Sequence, residues 1–131
     1  MSVHFPKVIS IDLEESDFDE VGGYFYFKLD GKVENRWKQY FRDAAQQEGA
    51  SCFNARQPTV HGDEYIVAYA DIDGENDLRT VNHHVKHAVA VANAELREVV
   101  DYENAEENRK QADRRKLEQR VAKIVGSLRF D

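Results

Sequence analysis

The 131-residue sequence has one cysteine, two prolines and no apolar run near the roughly 20 residues that a membrane-spanning helix needs. A single cysteine excludes an intrachain disulfide and any metal cluster built from several thiolates of one chain. The first residues, MSVHFPKVIS, lack the basic start, apolar middle and cleavage site of a signal peptide. We therefore expect a protein of the reducing cytoplasm, with no segment in a membrane.

The sequence also lacks an excess of basic charge, because its formal net charge is −7. A nucleic-acid-binding protein usually carries a basic footprint. Such a footprint occurs only between Arg109 and Lys123, where seven bases accompany two acids. Acidic residues interleave with these bases, and the rest of the chain would repel phosphate. Nucleic-acid binding through this basic C-terminal helix is therefore kept only as a second alternative.

Three segments alternate apolar and polar residues, a pattern that predicts half-buried strands. The segment KVISIDLEE places Ile9, Ile11 and Leu13 on one side of the chain, and GYFYFKLDG and EYIVAYADI alternate in the same way. SCFNARQ reads as a shorter, weaker strand, followed by a connection marked by Pro58 and Gly62.

Segments with helical spacing of apolar residues lie between these predicted strands and after the last of them. Apolar residues recur at helical intervals from Val33 to Ala44, with Gly49 as a stop. The predicted fold class is α+β, a four-stranded antiparallel sheet (β-β-α-β-β) with helices on one face and a long C-terminal helix or helical hairpin. The predicted core comprises Ile9, Ile11, Leu13, Phe25, Phe27, Leu29, Trp37, Phe41, Ile66, Ala68, Val85, Val89, Ala92, Leu96 and Val99.

The C-terminal half lacks helix breakers, since neither glycine nor proline occurs between Gly74 and Gly126. A helix is predicted to begin near Asn76 or Asp77, either of which can act as its N-cap. One continuous helix and a hairpin turning near residues 101–108 both fit the pattern. The domain prediction is an α+β domain over residues 1–100 and a helical extension over 101–131, either in the same domain or as a projecting arm.

A second apolar stripe lies at the end of this helix. It consists of Leu117, Val121, Ile124, Val125 and Leu128. Burying each large apolar side chain is worth about 1.5–3 kcal/mol, so the stripe is expected to be covered. If the helix turns back, the stripe completes the core of its own chain. If the helix is continuous, the stripe must pack against another subunit or a partner. Pairing with a second copy is the simplest solution, and we expect a homodimer whose interface contains these five residues.

Five acids lie close together near the N-terminus, in the sequence EESDFDE. The candidate partner-binding residues are Glu14, Glu15, Asp17, Phe18, Asp19 and Glu20. The carboxylates favour a basic protein partner, with Phe18 as an apolar anchor. The same cluster could hold a divalent cation, and it could also be a solvated loop that protects a sheet edge.

Histidine and cysteine patterns give no catalytic assignment. His83 and His87 are four residues apart, as zinc ligands often are, but the glutamate expected after the first histidine is absent. A helical-wheel projection places both histidines on the solvent side of the helix. His84 is expected to be a hydrogen-bonded boundary residue. Cys52 and His61 could in principle form a nucleophile and base, but nothing orients them. We therefore assign no catalytic residue, no metal site and no cofactor.

These observations predict a non-catalytic cytoplasmic protein-binding module that offers an acidic surface to a basic protein partner. Inhibitors, immunity proteins and secretion chaperones have comparable charge and size. The alternative is a small metal-dependent enzyme or metal-binding module that uses the acidic residues 14–20 or His83 and His87.

Overall fold

The computed structural model describes residues 3–130 and has the predicted α+β class. It contains four strands, two α-helices and one short 3-10 helix. These elements are β1 (Val8–Phe18), β2 (Gly22–Leu29), α1 (Asn35–Glu48), the 3-10 helix (Ala50–Phe53), β3 (Thr59–His61), β4 (Tyr65–Asp71) and α2 (Leu78–Ser127).

The strands form one antiparallel sheet in the order β1-β2-β4-β3, so β1 and β3 are its edges. On β2 and β4 the alternation predicted from sequence is confirmed, and both helices pack on the apolar side of the sheet. Eleven residues of the predicted core are buried, namely Phe25, Phe27, Leu29, Trp37, Phe41, Ile66, Ala68, Val85, Val89, Ala92 and Leu96. The polar side of β2 and β4 faces away from them.

The core prediction is wrong for β1, where Ile9 is 53% exposed and Leu13 is 60% exposed. The pairing of β1 with β2 is irregular between Val8 and Ser10, and again between Asp12 and Asp17. Each irregularity shifts the alternation, and a one-residue shift turns a strand's side chains to the other face. Ile11 and Val99, also predicted as core, are only half-buried.

The predicted strand SCFNARQ is also wrong, because residues 50–53 form the 3-10 helix and the third strand is Thr59–His61. Asn54 and Ala55 both have positive φ, which ends the 3-10 helix with a turn that no extended strand could contain. Phe53 is buried below this turn. The real β3 has only three residues, so it offers little alternation from which a strand could be predicted.

Helix α2 is continuous through residues 101–108, so the hairpin alternative is not found. Its buried residues all lie before the boundary between Arg97 and Glu98, at which the chain divides into two compact units. Within residues 3–130, no helix has both the length and the hydropathy needed to cross a membrane.

The N-cap of α2 is Asp77, one of the two predicted candidates. Its carboxylate accepts a hydrogen bond from the Thr80 backbone N–H at 2.9 Å, which satisfies a donor of the first turn. That hydrogen bond is also the main reason why the pKa of Asp77 is lowered from its ordinary value. The cap therefore works best while this carboxylate is ionised.

Replacing Asp77 by alanine should lower the thermal midpoint by several degrees at neutral pH. Because the pKa of Asp77 is depressed in the folded state, the stability that the ionised cap adds is present above the unfolded-state pKa. This added stability is lost as the pH falls through the folded-state pKa. The difference between Asp77→Ala and wild type should therefore narrow below about pH 4 in thermal melts followed by circular dichroism. Asp77→Asn, which retains a capping oxygen, is the control, and a pH-independent Asp77→Ala deficit would contradict this account.

Candidate functional site

The acidic segment, residues 14–20, runs along the edge of the sheet. Most of it belongs to β1 itself rather than to a loop between strands, which corrects the sequence interpretation. Glu14, Glu15, Asp17 and Glu20 are exposed, and within residues 3–130 their carboxylates have no hydrogen-bond or ion-pair partner. The edge therefore presents four carboxylates that no side chain of the described structure neutralises.

An irregularity in β1 holds part of this segment away from β2. The Asp12 carboxylate accepts hydrogen bonds from the backbone N–H groups of Glu14 and Glu15, at 3.1 and 3.3 Å. Ser16 donates its hydroxyl to the Asp12 carbonyl at 2.7 Å and accepts the Tyr26 backbone N–H at 3.0 Å. The side chains of Asp12 and Ser16 thus replace regular ladder pairing and fix how Glu14 and Glu15 project.

Two of the predicted partner-binding residues also have structural roles. The Asp19 carboxylate accepts the backbone N–H groups of Val21 and Gly22, at 2.9 and 3.2 Å. These two hydrogen bonds lower the pKa of Asp19. Phe18 is partly exposed, but its ring stacks on buried Phe25 with 5.2 Å between ring centroids. Asp19 therefore holds the turn, and Phe18 extends the core to the surface.

The face of the sheet opposite the helices carries four tyrosines, which we call the tyrosine face: Tyr24, Tyr26, Tyr65 and Tyr69. Their rings meet edge to face, with centroids 5.4 Å apart for Tyr24 and Tyr69 and 5.6 Å apart for Tyr26 and Tyr65. Sequence analysis found the alternation that creates this face but did not single out its tyrosines. The signal was present, since tyrosine occupies both polar-side positions between Gly22 and Lys28.

Acids and cations border the tyrosine face. Tyr65 donates its hydroxyl to the Asp12 carboxylate at 3.0 Å, and this hydrogen bond raises the pKa of the phenol. The Arg56 guanidinium lies 3.8 Å from the centroid of the Tyr69 ring, and the Lys28 ammonium lies 5.1 Å from that of Tyr65. The rings therefore already hold cations by cation–π contact.

A third cluster joins α1, the 3-10 helix and α2. Glu48 ends α1, Cys52 lies in the 3-10 helix, and His84 and His87 lie one turn apart on α2. One Glu48 carboxylate oxygen is 3.3 Å from Nδ1 of His84, and the other contacts Nδ1 of His87. The Cys52 thiol donates to the Glu48 carbonyl at 3.2 Å. We call these four residues the thiol–imidazole cluster.

The expectations for histidine and cysteine are met in part. His83 and His87 are both exposed and His84 is a hydrogen-bonded boundary residue, as predicted. The imidazole beside Cys52 belongs to His84, whereas His61 packs against Tyr26 with 5.3 Å between ring centroids. Sequence reasoning missed this cluster because only the fold brings the end of α1 to this turn of α2.

The five residues of the C-terminal stripe are all exposed, with values between 46% for Leu117 and 59% for Ile124. The first four lie on α2 at intervals of four, three and one residues, which places them on one face, and Leu128 follows the last helical residue, Ser127. Phe130, beyond the helix end, is still more exposed. In the chain as described, this apolar face has no cover.

The basic stretch from Arg109 to Lys123 is partly neutralised within its own helix. Arg109 lies 3.0 Å from Glu106 and 3.4 Å from Asp113, and Arg114 lies 3.0 Å from Glu118. These pairs use residues three or four positions apart and support a solvated helix. They leave less positive charge for a nucleic acid than the sequence composition indicates.

No protein-family model, no curated protein and no solved structure matches this chain.

Proposed function

We propose that this chain is a non-catalytic protein-binding module whose acidic segment and tyrosine face bind a basic segment of a partner protein. The observation that carries the proposal is the placement of four unneutralised carboxylates at a sheet edge, beside rings that already hold cations. Cys52 is a thiol in this structure, and the reducing cytoplasm is the proposed compartment.

The register of the sheet puts acid and tyrosine on the same side. Asp17 pairs with Tyr24 and Asp12 pairs with Tyr26, and residues directly opposite each other in a ladder project to one face. An arginine side chain placed over Tyr24 would therefore lie near the Asp17 carboxylate. Planar guanidinium groups both stack on aromatic rings and bind carboxylates, so arginine fits this surface better than lysine.

The irregular edge favours recognition by side chains over addition of a strand. A partner strand needs a row of regularly spaced backbone groups, and the turn-like hydrogen bonds of residues 12–16 interrupt that row. The edge is thus protected from sheet-to-sheet aggregation while its carboxylates stay accessible. Long-range attraction to a basic partner would mainly raise the association rate.

The test is a binding titration with a short peptide of alternating arginine and serine, followed by calorimetry at low and physiological salt. The variant Glu14→Gln/Glu15→Gln/Asp17→Asn/Glu20→Gln should weaken binding roughly fivefold or more, because it removes four exposed charge contacts that each contribute a fraction of a kcal/mol. Tyr24→Ala should weaken binding of the arginine peptide more than binding of the matching lysine peptide.

Removal of any four acids would reduce general attraction to a cation, so the control removes four acids elsewhere. This control variant has the same net charge as the variant of the acidic segment and changes four exposed residues outside that segment. Its substitutions are Glu75→Gln/Glu98→Gln/Glu107→Gln/Asp101→Asn. It should keep most of the affinity. Equal losses in the two variants would show non-specific attraction and overturn the proposal, as would failure of the wild-type chain to bind the peptide.

A second proposal concerns assembly, and the observation that favours it is the exposed C-terminal stripe. The spacing of Leu117, Val121, Ile124 and Leu128, at intervals of four, three and four residues, is that of a coiled-coil seam. A seam on one helix can pair with the same seam on a second copy about a two-fold axis. We propose a homodimer through this stripe, measurable by light scattering.

A further inference from the structure

We propose that the thiol–imidazole cluster is a binding site for a zinc-class transition-metal ion, a property independent of partner binding. One ligand atom from each of Glu48, Cys52 and His84 lies within 4.8 Å of the others. His87 contacts the same Glu48 carboxylate and supplies a fourth donor. The set is thus one thiol sulfur, two imidazole nitrogens and one carboxylate oxygen.

The distances are close to those that a tetrahedral ion requires. Zinc bonds to sulfur at about 2.3 Å and to nitrogen or oxygen at about 2.0–2.2 Å, so two ligands of one ion lie about 3.5 Å apart. The Glu48 oxygen and His84 Nδ1 are already 3.3 Å apart. The Cys52 sulfur lies within 4.8 Å of both groups, so small side-chain rotations would bring these three donors onto one ion. His87 would join them through its contact with the Glu48 carboxylate.

The backbone that carries these ligands is held by buried neighbours. Ala45 precedes Glu48 by one turn of α1, Phe53 follows Cys52, and Val85 and Ala88 flank the two histidines on α2. The Phe53 ring also lies edge-on to the His84 ring, 6.1 Å between centroids. Ligands fixed on packed elements in this way are preorganised, which lowers the cost of closing a site around an ion.

The donor set selects the class of metal. A thiolate with two imidazoles favours zinc, cobalt or copper over magnesium and calcium, which prefer oxygen ligands. A thiolate and a carboxylate together carry two negative charges, which a divalent ion would neutralise, while the Cys52 proton passes to solvent. Among residues 3–130 the Glu48 carboxylate has only the two histidines as hydrogen-bond partners, so no arginine or lysine already occupies this position.

The site differs from the arrangement that the sequence suggested. The HHVKH spacing draws attention to His83 and His87. His87 contacts the Glu48 carboxylate, whereas the His83 ring lies edge-on to that of His84, outside the cluster. The structure instead combines His84 and His87, three residues apart, with ligands from α1 and the 3-10 helix. His83 is therefore a matched control for both.

The experiment uses the full chain without an affinity tag, reduced and stripped of metal, and titrates it with cobalt(II) under anaerobic conditions. We expect one equivalent to bind, with a thiolate-to-cobalt charge-transfer band in the near ultraviolet and the intense visible bands of a tetrahedral site. Zinc should displace the cobalt and bleach these bands. Absence of a stoichiometric thiolate band in the wild-type chain would overturn the proposal.

Variants then identify the ligands. Cys52→Ser should abolish the charge-transfer band, and His84→Ala and His87→Ala should each weaken cobalt binding at least about tenfold. His83→Ala and His61→Ala should bind as the wild type does. Retention of the band in Cys52→Ser, or an equal loss in His83→Ala, would contradict the assigned ligands, and circular dichroism of each variant separates loss of a ligand from loss of the fold.

Discussion

Replacing Trp37 by alanine is expected to lower the free energy of unfolding by about 3–5 kcal/mol. The Trp37 side chain is 0% exposed, and its ring stacks on Phe41 with 5.3 Å between centroids. Its indole N–H donates to the Asn93 side chain at 2.8 Å, and Asn93 in turn donates to the Pro6 carbonyl at 2.7 Å. Truncation thus leaves a cavity and an acceptor that has lost its donor.

The measurement is urea denaturation followed by far-ultraviolet circular dichroism, because Trp37 is the only tryptophan and tryptophan fluorescence would be lost with it. Trp37→Phe keeps most of the apolar volume and removes the hydrogen bond, so it should lower the free energy of unfolding clearly less than Trp37→Ala does. This milder variant remains informative if the alanine variant does not fold. A Trp37→Ala chain whose free energy of unfolding lies within about 1 kcal/mol of the wild-type value would contradict this packing of Trp37.

The second large effect is expected on assembly, where Leu117→Asp/Ile124→Asp should convert the proposed dimer to a monomer. Each large apolar side chain contributes about 1.5–3 kcal/mol when it is buried, and a charge placed in the seam adds a desolvation cost. The substitutions lie on an exposed part of the chain, so they should leave the thermal unfolding of the α+β unit unchanged at dilute concentration.

The measurement is light scattering over a series of protein concentrations. Ala112→Asp/Gln119→Asp adds the same two charges to the opposite side of the helix, where the wheel places residues 112 and 119. This control should remain a dimer. A wild-type chain that stays monomeric at every concentration would remove the basis for the proposed homodimer, and identical behaviour of the two double variants would remove the stripe from its interface.

The parts of the fold that sequence predicted best are those with a strong period. β4 alternates throughout and β2 alternates from Gly23 onwards, and the apolar residues of α2 recur at helical spacing up to Leu96, so the buried face of each could be assigned. β1 has an equally clear alternation, but Asp12 and Ser16 bond the backbone locally and break the register. Such competition between a side chain and the ladder is not visible in hydropathy.

The candidate sites divide in the same way. The acidic segment and the C-terminal stripe are contiguous in sequence or periodic, so their members could be named before the fold was known. The thiol–imidazole cluster could not, because Glu48 and His84 are 36 residues apart and meet only when α1 packs beside α2. A lone cysteine and three neighbouring histidines carry no information about which of them will converge.

The most direct test of the central claim is a nuclear magnetic resonance titration of the isotopically labelled chain with the arginine–serine peptide. Shift changes should concentrate on residues 12–20 and on Tyr24, Tyr26, Tyr65 and Tyr69, and they should weaken as salt is raised. Changes spread evenly over the acidic residues of the whole chain, or centred outside the acidic segment and the tyrosine face, would contradict the proposed binding surface.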